Sequence, residues 1–437
     1  MVVDQGAPSH ESDAGVLAGR AEELLRTGRD DRDALAIAMD LLERALGVGR
    51  EGQVSSARLV EDLVISGKFD GASIDLPPHQ RIARVNNLGL AYRLLGRLDQ
   101  DPILRDAAVA ARRLSLRLSS DDETKRLAAA TLAEDLRIRW ELHHNPKDLA
   151  EAIELCRGVA GLDEAFLPRL GVDGVGDVAT GNALAVLCTS LRLRYESASD
   201  ELALTQAIRL GRRAVDLTPR GSNAWHARNN NLALALRDRW LLRRALADID
   251  EAVRAATSAV DDHRQQTSAH VARWSTLGSV LRSRFIHRAG LGAFHPPDPL
   301  DLRTVRPTPD IPRDDIDLAV NAFDRAVHLA GLANIDVNRS RLIAALLTRY
   351  DIFRERADLE RAATVARQID VGESTQPLVL NDVAYALARA GSDLRRPHQV
   401  LEAIELGERA LQGLTGSANE AMALDNLGTY FRALEFL

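Results

Sequence analysis

Lysine is nearly absent: Lys68, Lys125 and Lys147 are the three lysines among 56 basic residues, leaving 53 arginines in a chain of 437. Aromatic residues make up only 4% and β-branched residues are sparse, which argues against a large sheet. Two cysteines, Cys156 and Cys188, are too few for a disulfide framework or a closed zinc site. They fit a reducing compartment and packing as small apolar residues. No apolar run is long enough to span a bilayer. The opening MVVDQGAPSHESD shows no basic stretch followed by an apolar one, so the expected location is the cytoplasm. A strong charge of one sign is missing too. The 56 basic and 63 acidic residues leave −7, which argues against a general nucleic-acid or membrane-surface binder.

What is present is helical and repetitive. Leu, Ala and Arg dominate, and charged residues, 27% of the chain, lie among apolar ones at i, i+3, i+4 and i+7. Four segments carry Leu-Arg-x-Arg followed by an aromatic residue: Leu136 to Trp140, Leu191 to Tyr195, Leu236 to Trp240 and Leu281 to Phe285. Their first arginines are 55, 45 and 45 residues apart, and a weaker copy runs from Leu346 to Tyr350. A second pattern follows each copy, as in Leu149 to Ile153, Leu204 to Ile208, Ile249 to Val253 and Ile316 to Val320. There a small alanine between larger apolar residues suits two helices in close approach. Asn145-Pro146 reads as a polar cap with proline at the first helical position, and Thr218-Pro219-Arg220-Gly221-Ser222 breaks one helix and caps the next. Each unit is therefore helix, turn, helix, and each needs a neighbour to bury its apolar stripe.

These residues resemble the tetratricopeptide repeat, whose first helix reads Trp-x-x-Leu-Gly-x-x-Tyr. Trp274-x-x-Leu277-Gly278-x-x-Leu281 matches best, with Val85-x-x-Leu88-Gly89-x-x-Tyr92 and Leu424-x-x-Leu427-Gly428-x-x-Phe431 close behind. The small residue sits where the partner helix crosses. The resemblance implies an all-α, right-handed superhelical solenoid with its first (A) helices lining a concave groove. The period, about 41 to 45 against the usual 34, resembles a long subtype of bacterial arrays that accompany CHAT caspase-like peptidases.

Residues 1–13 read as a disordered lead. Residues 14–79 read as a helical cap (helices near 14–27, 30–47 and 55–67) with a linker, and 80–437 as the repeat array. Gly161 to Gly176 and Gly290 to Pro312 read as insertions, the second proline-rich and more in keeping with a tolerated surface loop than a binding element. The array ends in an unpaired A helix with an apolar finish, Tyr430 to Leu437, on which another surface is expected to pack.

No enzyme motif stands out, and no metal or cofactor is expected. No histidine precedes glycine and both cysteines follow leucine, so the His-Cys dyad of a CHAT peptidase is not found here. Gly174-Val175-Gly176-Asp177-Val178-Ala179 matches a dinucleotide fingerprint but follows no strand. His143-His144 are adjacent, hence about 100° apart on a helix, and give no metal pair.

The sharp candidate is a ladder of arginines. Counting the motif leucine as position 7, Arg93, Arg137, Arg192, Arg237 and Arg282 all fall at position 12, which by the resemblance faces the groove. Stacked guanidinium groups would attract an acidic peptide, a C-terminal carboxylate or a phosphorylated segment. Alternatively, each pairs with an acid of a neighbouring helix, with Asp135, Asp238, Glu251 and Asp317 available. The second arginines, Arg139, Arg194, Arg239 and Arg284, point elsewhere and read as structural; codon bias in a GC-rich genome explains the arginine excess as well. Asn86 and Asn230 occupy position 5, where an amide can clamp a peptide backbone. The expected function is a scaffold that binds an acidic or extended peptide segment; the alternative is the sensor arm of an effector such as a CHAT protease.

Overall fold

The computed structural model describes residues 10–29, 31–46, 77–162, 177–261, 268–290, 312–330, 335–372, 375–417 and 419–437. Within them lie seventeen helices and no strand. The expected third N-terminal helix, most of both insertions and the first glycines of the dinucleotide-like run fall outside the described residues. The chain forms two compact units, Met1–Pro219 and Arg220–Leu437, and the division falls at the Thr218 to Ser222 break.

Unit 1 holds α1 (His10–Thr27), α2 (Arg32–Ala45), α3 (Pro78–Leu98), α4 (Pro102–Leu118), α5 (Asp122–His143), α6 (Pro146–Ala160), α7 (Val178–Ala198) and α8 (Glu201–Asp216). Unit 2 holds α9 (Asn223–Arg243), α10 (Leu246–Val260), α11 (Ser268–Arg288), α12 (Asp314–Leu329), α13 (Ile335–Phe353), α14 (Arg356–Ala366), α15 (Pro377–Asp393), α16 (Pro397–Leu414) and α17 (Glu420–Glu435). From α3 onward, odd helices are A helices and even ones their B partners, and within each unit a B helix also packs on the next A helix. The fold is an all-α tetratricopeptide-like repeat of helical hairpins. Helix α1 starts at His10, inside the stretch read as a disordered lead. Both N-terminal helices share one core with α3 and α4, through Leu35, Leu42, Leu88, Tyr92 and Ala107.

The hairpins turn tightly because a left-handed residue follows the A helix. Gln100, His144, Ser199, Arg244, Arg354 and Arg395 all have φ between 49° and 56°, without glycine's freedom. The next helix is then capped by Asp101, Asn145 or Asp200, whose side chains accept backbone N–H groups. Glycine is needed at two A-helix crossings. A Cβ on Gly278 would stand 2.8 Å from the Phe323 ring, and one on Gly89 3.2 Å from Arg112 Nε.

The second arginines are braces. Arg139 forks onto Asp148 at 2.8 and 2.7 Å, Arg239 onto Asp248 at 2.9 and 2.5 Å, and Arg284 onto Asp315 at 2.8 and 2.6 Å. Arg349 forks onto Asp358 likewise. Each aspartate is buried in the first turn of the following B helix. Three of these arginines also reach back to the preceding B helix, at Asp106, Asp250 and Asp317. One guanidinium thus ties its own hairpin to the one before it, which a planar fork does better than an ammonium group. Arg194 meets Asp200 at 3.1 Å.

Candidate functional site

Position 5 and position 12 of an A helix are seven residues, two turns, apart, so they form two rungs about 10 Å apart along the helix. In unit 1 the position-12 rung is Arg93, Arg137 and Arg192, and each has an acid. Arg93 donates to Glu134 at 2.6 Å and to buried Asp135 at 3.4 Å. Arg112, from the B helix α4, joins the same group through Asp135 at 2.9 Å and clasps Asn86 at both its carbonyl and its side-chain oxygen, 2.8 and 2.9 Å. Asn86 is therefore committed to an internal arginine. Burial alone would lower the pKa of Arg93, but Glu134 and Asp135 outweigh it and raise it. Arg137 donates to Glu141 at 2.6 Å and Arg192 to Glu196, each one turn along its own helix.

In unit 2 the same positions hold different company. Arg237 lies 4.0 Å from Asp238, its chain neighbour. Arg282 Nε donates to Thr348 Oγ1 at 2.8 Å, and Thr348 passes its own proton to Ala344 O at 2.7 Å. Arg341, on α13, donates through Nη1 to Ser275 Oγ, the position-5 residue of α11. Each arginine thus bonds a hydroxyl of the neighbouring A helix. Among the described residues, neither Arg282 nor Arg341 has a carboxylate within 4.0 Å. Burial and the nearby charge of Arg237 lower the pKa of both, that of Arg282 to about 10. Arg341 is nonetheless exposed.

Three polar groups complete the surroundings. Asn230, on the position-5 rung of α9, has a buried Oδ1 with no hydrogen-bond partner. Tyr385 is 9% exposed, and its hydroxyl is likewise buried without a partner. Asp382, on α15, bonds Ser340; burial raises its pKa to about 6 against the opposing pull of that hydrogen bond and of Arg282. Arg389, also on α15, is held by Asp351 at 3.0 Å and Asp393 at 3.4 Å.

The ladder residues are therefore placed on the A helices at equivalent positions, but the structure divides them between the units. Arg341, Tyr385 and Asp382 were not among the sequence candidates. No repeat position marked them in the sequence. Elsewhere, Cys156 and Cys188 are buried, which pushes both thiols up to about 12. His143 and His144 are exposed, and no metal-binding group of three His, Cys, Asp or Glu occurs among the described residues. No described helix is long and apolar enough to cross a membrane. On α17, Tyr430 is buried while Leu424, Phe431 and Phe436 are exposed.

No family model matches the chain, and no curated protein matches its sequence. Solved structures resemble it loosely. The human IFIT1 dimer with PPP-AAAA is 13% identical over 99% of this chain and 94% of that one, at a TM-score of 0.34. The P58(IPK) TPR domain is 15% identical over 97% and 99%, at 0.23. BtubC (BKLC) from P. vanneervenii is 15% identical over 59% and 95%, at 0.31. Likeness this loose says nothing about what the chain binds.

Proposed function

We propose that the protein is a cytoplasmic interaction scaffold that holds an acidic, extended peptide segment of a partner against the A helices of unit 2. The observation that supports this is the pair Arg282 and Arg341, each bonded to a hydroxyl and to no carboxylate among the described residues. Partly buried guanidinium groups ordinarily meet an acid of their own chain, as they do in unit 1. A ligand carboxylate would supply here what Glu141 and Glu196 supply there. Of the sequence candidates, Arg237, Arg282 and Asn230 belong to this surface. Arg93, Arg137, Arg192 and Asn86 have partners, as has Arg237 in Asp238, and would need to exchange them in order to bind.

Fluorescence anisotropy of a labelled decapeptide of alternating glutamate and glycine tests the reading. Arg282→Gln with Arg341→Gln should weaken binding by at least about tenfold, the loss expected for charge-assisted bonds, whereas Arg137→Gln with Arg192→Gln should change it little. Equal binding by wild type and the unit 2 pair would sink the proposal. A second reading follows from the repeat motif and its resemblance to CHAT-associated arrays: a sensor arm that controls an effector enzyme, in contact through the apolar face of α17. Failure of the protein to bind such a peptidase on co-expression would remove it.

A further inference from the structure

Unit 1, apart from anything bound by unit 2, leaves a junction between two hairpins unfilled. A cavity of about 880 Å³ opens between the ends of α5 and α7 and the start of α6; Trp140, Leu149 and Leu193 give it an apolar lining, with Ala150, Arg194 and Ser197 beside them. The repeat register explains the space. Ser197 stands where α11 carries His287, whose Nδ1 meets the Trp240 Nε1–H at 3.3 Å. Ala150 stands where α10 and α12 carry Asp250 and Asp317, the acids that hold Arg284 and Arg349 from the preceding hairpin. Ala203 stands where Asp148, Asp248, Asp315 and Asp358 take the fork of a second arginine. At one junction, then, Trp140 lacks the acceptor that its counterpart has, and Arg194 lacks two acids.

Both groups keep unused hydrogen-bonding capacity. Trp140 is 8% exposed against 1% for Trp240, and its Nε1–H has no partner among the described residues, although it is not one of the fully buried atoms. Arg194 meets Asp200 through Nε at 3.1 Å, and its Nη groups have no hydrogen bond among the described residues. Its side chain is 48% exposed, where Arg139, Arg239, Arg284 and Arg349 are 16% to 18%. The fork of Arg194 is therefore open at the cavity wall.

The side chains missing from this junction describe what it takes: a carboxylate for Arg194, and an acceptor on an apolar body for Trp140. Glu141 and Glu196 also border the cavity, but Arg137 and Arg192 answer their charge from one turn back, so an incoming acid meets Arg194 as the unbalanced group. A purely apolar molecule would leave Arg194 unmatched. A peptide with an acid beside a bulky apolar residue supplies the carboxylate, the apolar body and, in its main-chain carbonyl, the acceptor. We propose that this cavity docks an extended segment of a partner protein in which Asp or Glu stands next to a bulky apolar residue. The carboxylate takes Arg194, the apolar side chain lies against Trp140, and a carbonyl accepts the Trp140 Nε1–H.

Fluorescence anisotropy of the full chain tests this with a labelled hexapeptide, Gly-Gly-Glu-Leu-Gly-Gly, and with its Gln-Leu and Glu-Gly relatives. The Glu-Leu probe should bind about tenfold more tightly than either relative, the step expected for a hydrogen bond between charged groups or for burial of a leucine side chain. Ala150→Asp with Ser197→His restores the residues found at these places in α10 and α11 and fills the cavity from within. That variant should lower Glu-Leu affinity by about tenfold and melt no lower than wild type, which separates an occupied site from a lost fold. Arg194→Gln should bring the Glu-Leu and Gln-Leu probes to equal affinity. In proton–nitrogen NMR spectra the Trp140 indole signal, assigned through Trp140→Phe, should move on titration while that of Trp240 stays in place.

Equal affinity of wild type for the Glu-Leu and Gln-Leu probes overturns the proposal, as does failure of the Glu-Leu probe to bind. Unchanged affinity in the Ala150→Asp, Ser197→His variant overturns the site. Loss of binding in Arg282→Gln with Arg341→Gln, but not in Arg194→Gln, assigns the probe to unit 2, which overturns this proposal and leaves the acidic-peptide reading of unit 2 in place.

Discussion

The two units place arginine at the same A-helix position and then treat it in opposite ways. In unit 1, Arg137 and Arg192 find Glu141 and Glu196 one turn on, and Arg93 finds Glu134 and Asp135. In unit 2 the residues one turn beyond Arg237 and Arg282 are Leu241 and Ile286, and the arginines turn to hydroxyls or crowd one another. A repeat position therefore does not define a role. The backbone puts the guanidinium on the A-helix face, and the residue four places later decides whether an acid of the same helix meets it.

The largest expected effect breaks the comparison on the unit 1 side. Asp135 is buried and serves both Arg93 and Arg112, the latter 5% exposed and itself holding Asn86. Asp135→Ala leaves two guanidinium groups without their shared acid, and should cost about 3–5 kcal/mol, the usual penalty for breaking a buried pair. Denaturant unfolding checks the magnitude, and hydrogen exchange should place the loosening in α3 to α5. A cost below about 1 kcal/mol would mean that water already shares this network.

The corresponding acid of unit 2 should behave in reverse. Burial raises the carboxyls of Asp351 and Asp382 to about 6, against the opposing arginines. A carboxyl that keeps its proton to a higher pH when folded stabilises fully below the ordinary aspartate range. That contribution is lost as pH rises from about 4 through about 6. Unit 2 should therefore be more stable at pH 5 than at pH 7.5. Asp382→Asn should remove part of this difference and add about 1–2 kcal/mol at pH 7.5, with little change at pH 4. The same pH dependence in wild type and Asp382→Asn, read by hydrogen exchange across α13 to α15, would assign the effect to other groups.

The difference between the units is partly written in the sequence. Period, helix ends and hairpin pairing were legible because proline, capping aspartates and the Leu-Arg-x-Arg repeat mark them locally. The break expected at Thr218 to Ser222, for example, lies between the end of α8 and the start of α9. The i, i+4 acids of Arg137 and Arg192 were equally readable, but attention to neighbouring helices passed over them. What could not be read is geometry between distant helices. Arg341 reaches Ser275 across 66 residues, and Arg112 reaches Asn86 only because Gly89 leaves the space. Nor does any local pattern say that Tyr385 and Asn230 are buried with a polar atom unmatched. Such facts depend on how hairpins stack, and stacking follows from side chains contributed by several of them.

The smallest effect on stability carries the finest test of the comparison. Glu141 and Glu196 are 45% exposed at the side chain, and their arginines 16%. Such one-turn pairs are worth only about 0.3–0.5 kcal/mol, so Glu141→Gln with Glu196→Gln should scarcely move the melting curve. If the acid alone separates the units, those two changes should raise the affinity of the chain for the acidic decapeptide. The reciprocal change, Ile286→Glu, places an acid one turn beyond Arg282 and should weaken decapeptide binding to unit 2, while Ile286→Gln, of the same shape, should not. Gain in one unit and loss in the other would make the acid at that position the switch between bracing and binding. Loss without gain would add a second requirement, and the hydroxyl of Ser275, whose place in unit 1 is taken by Ala130 and Ala185, is where it would lie.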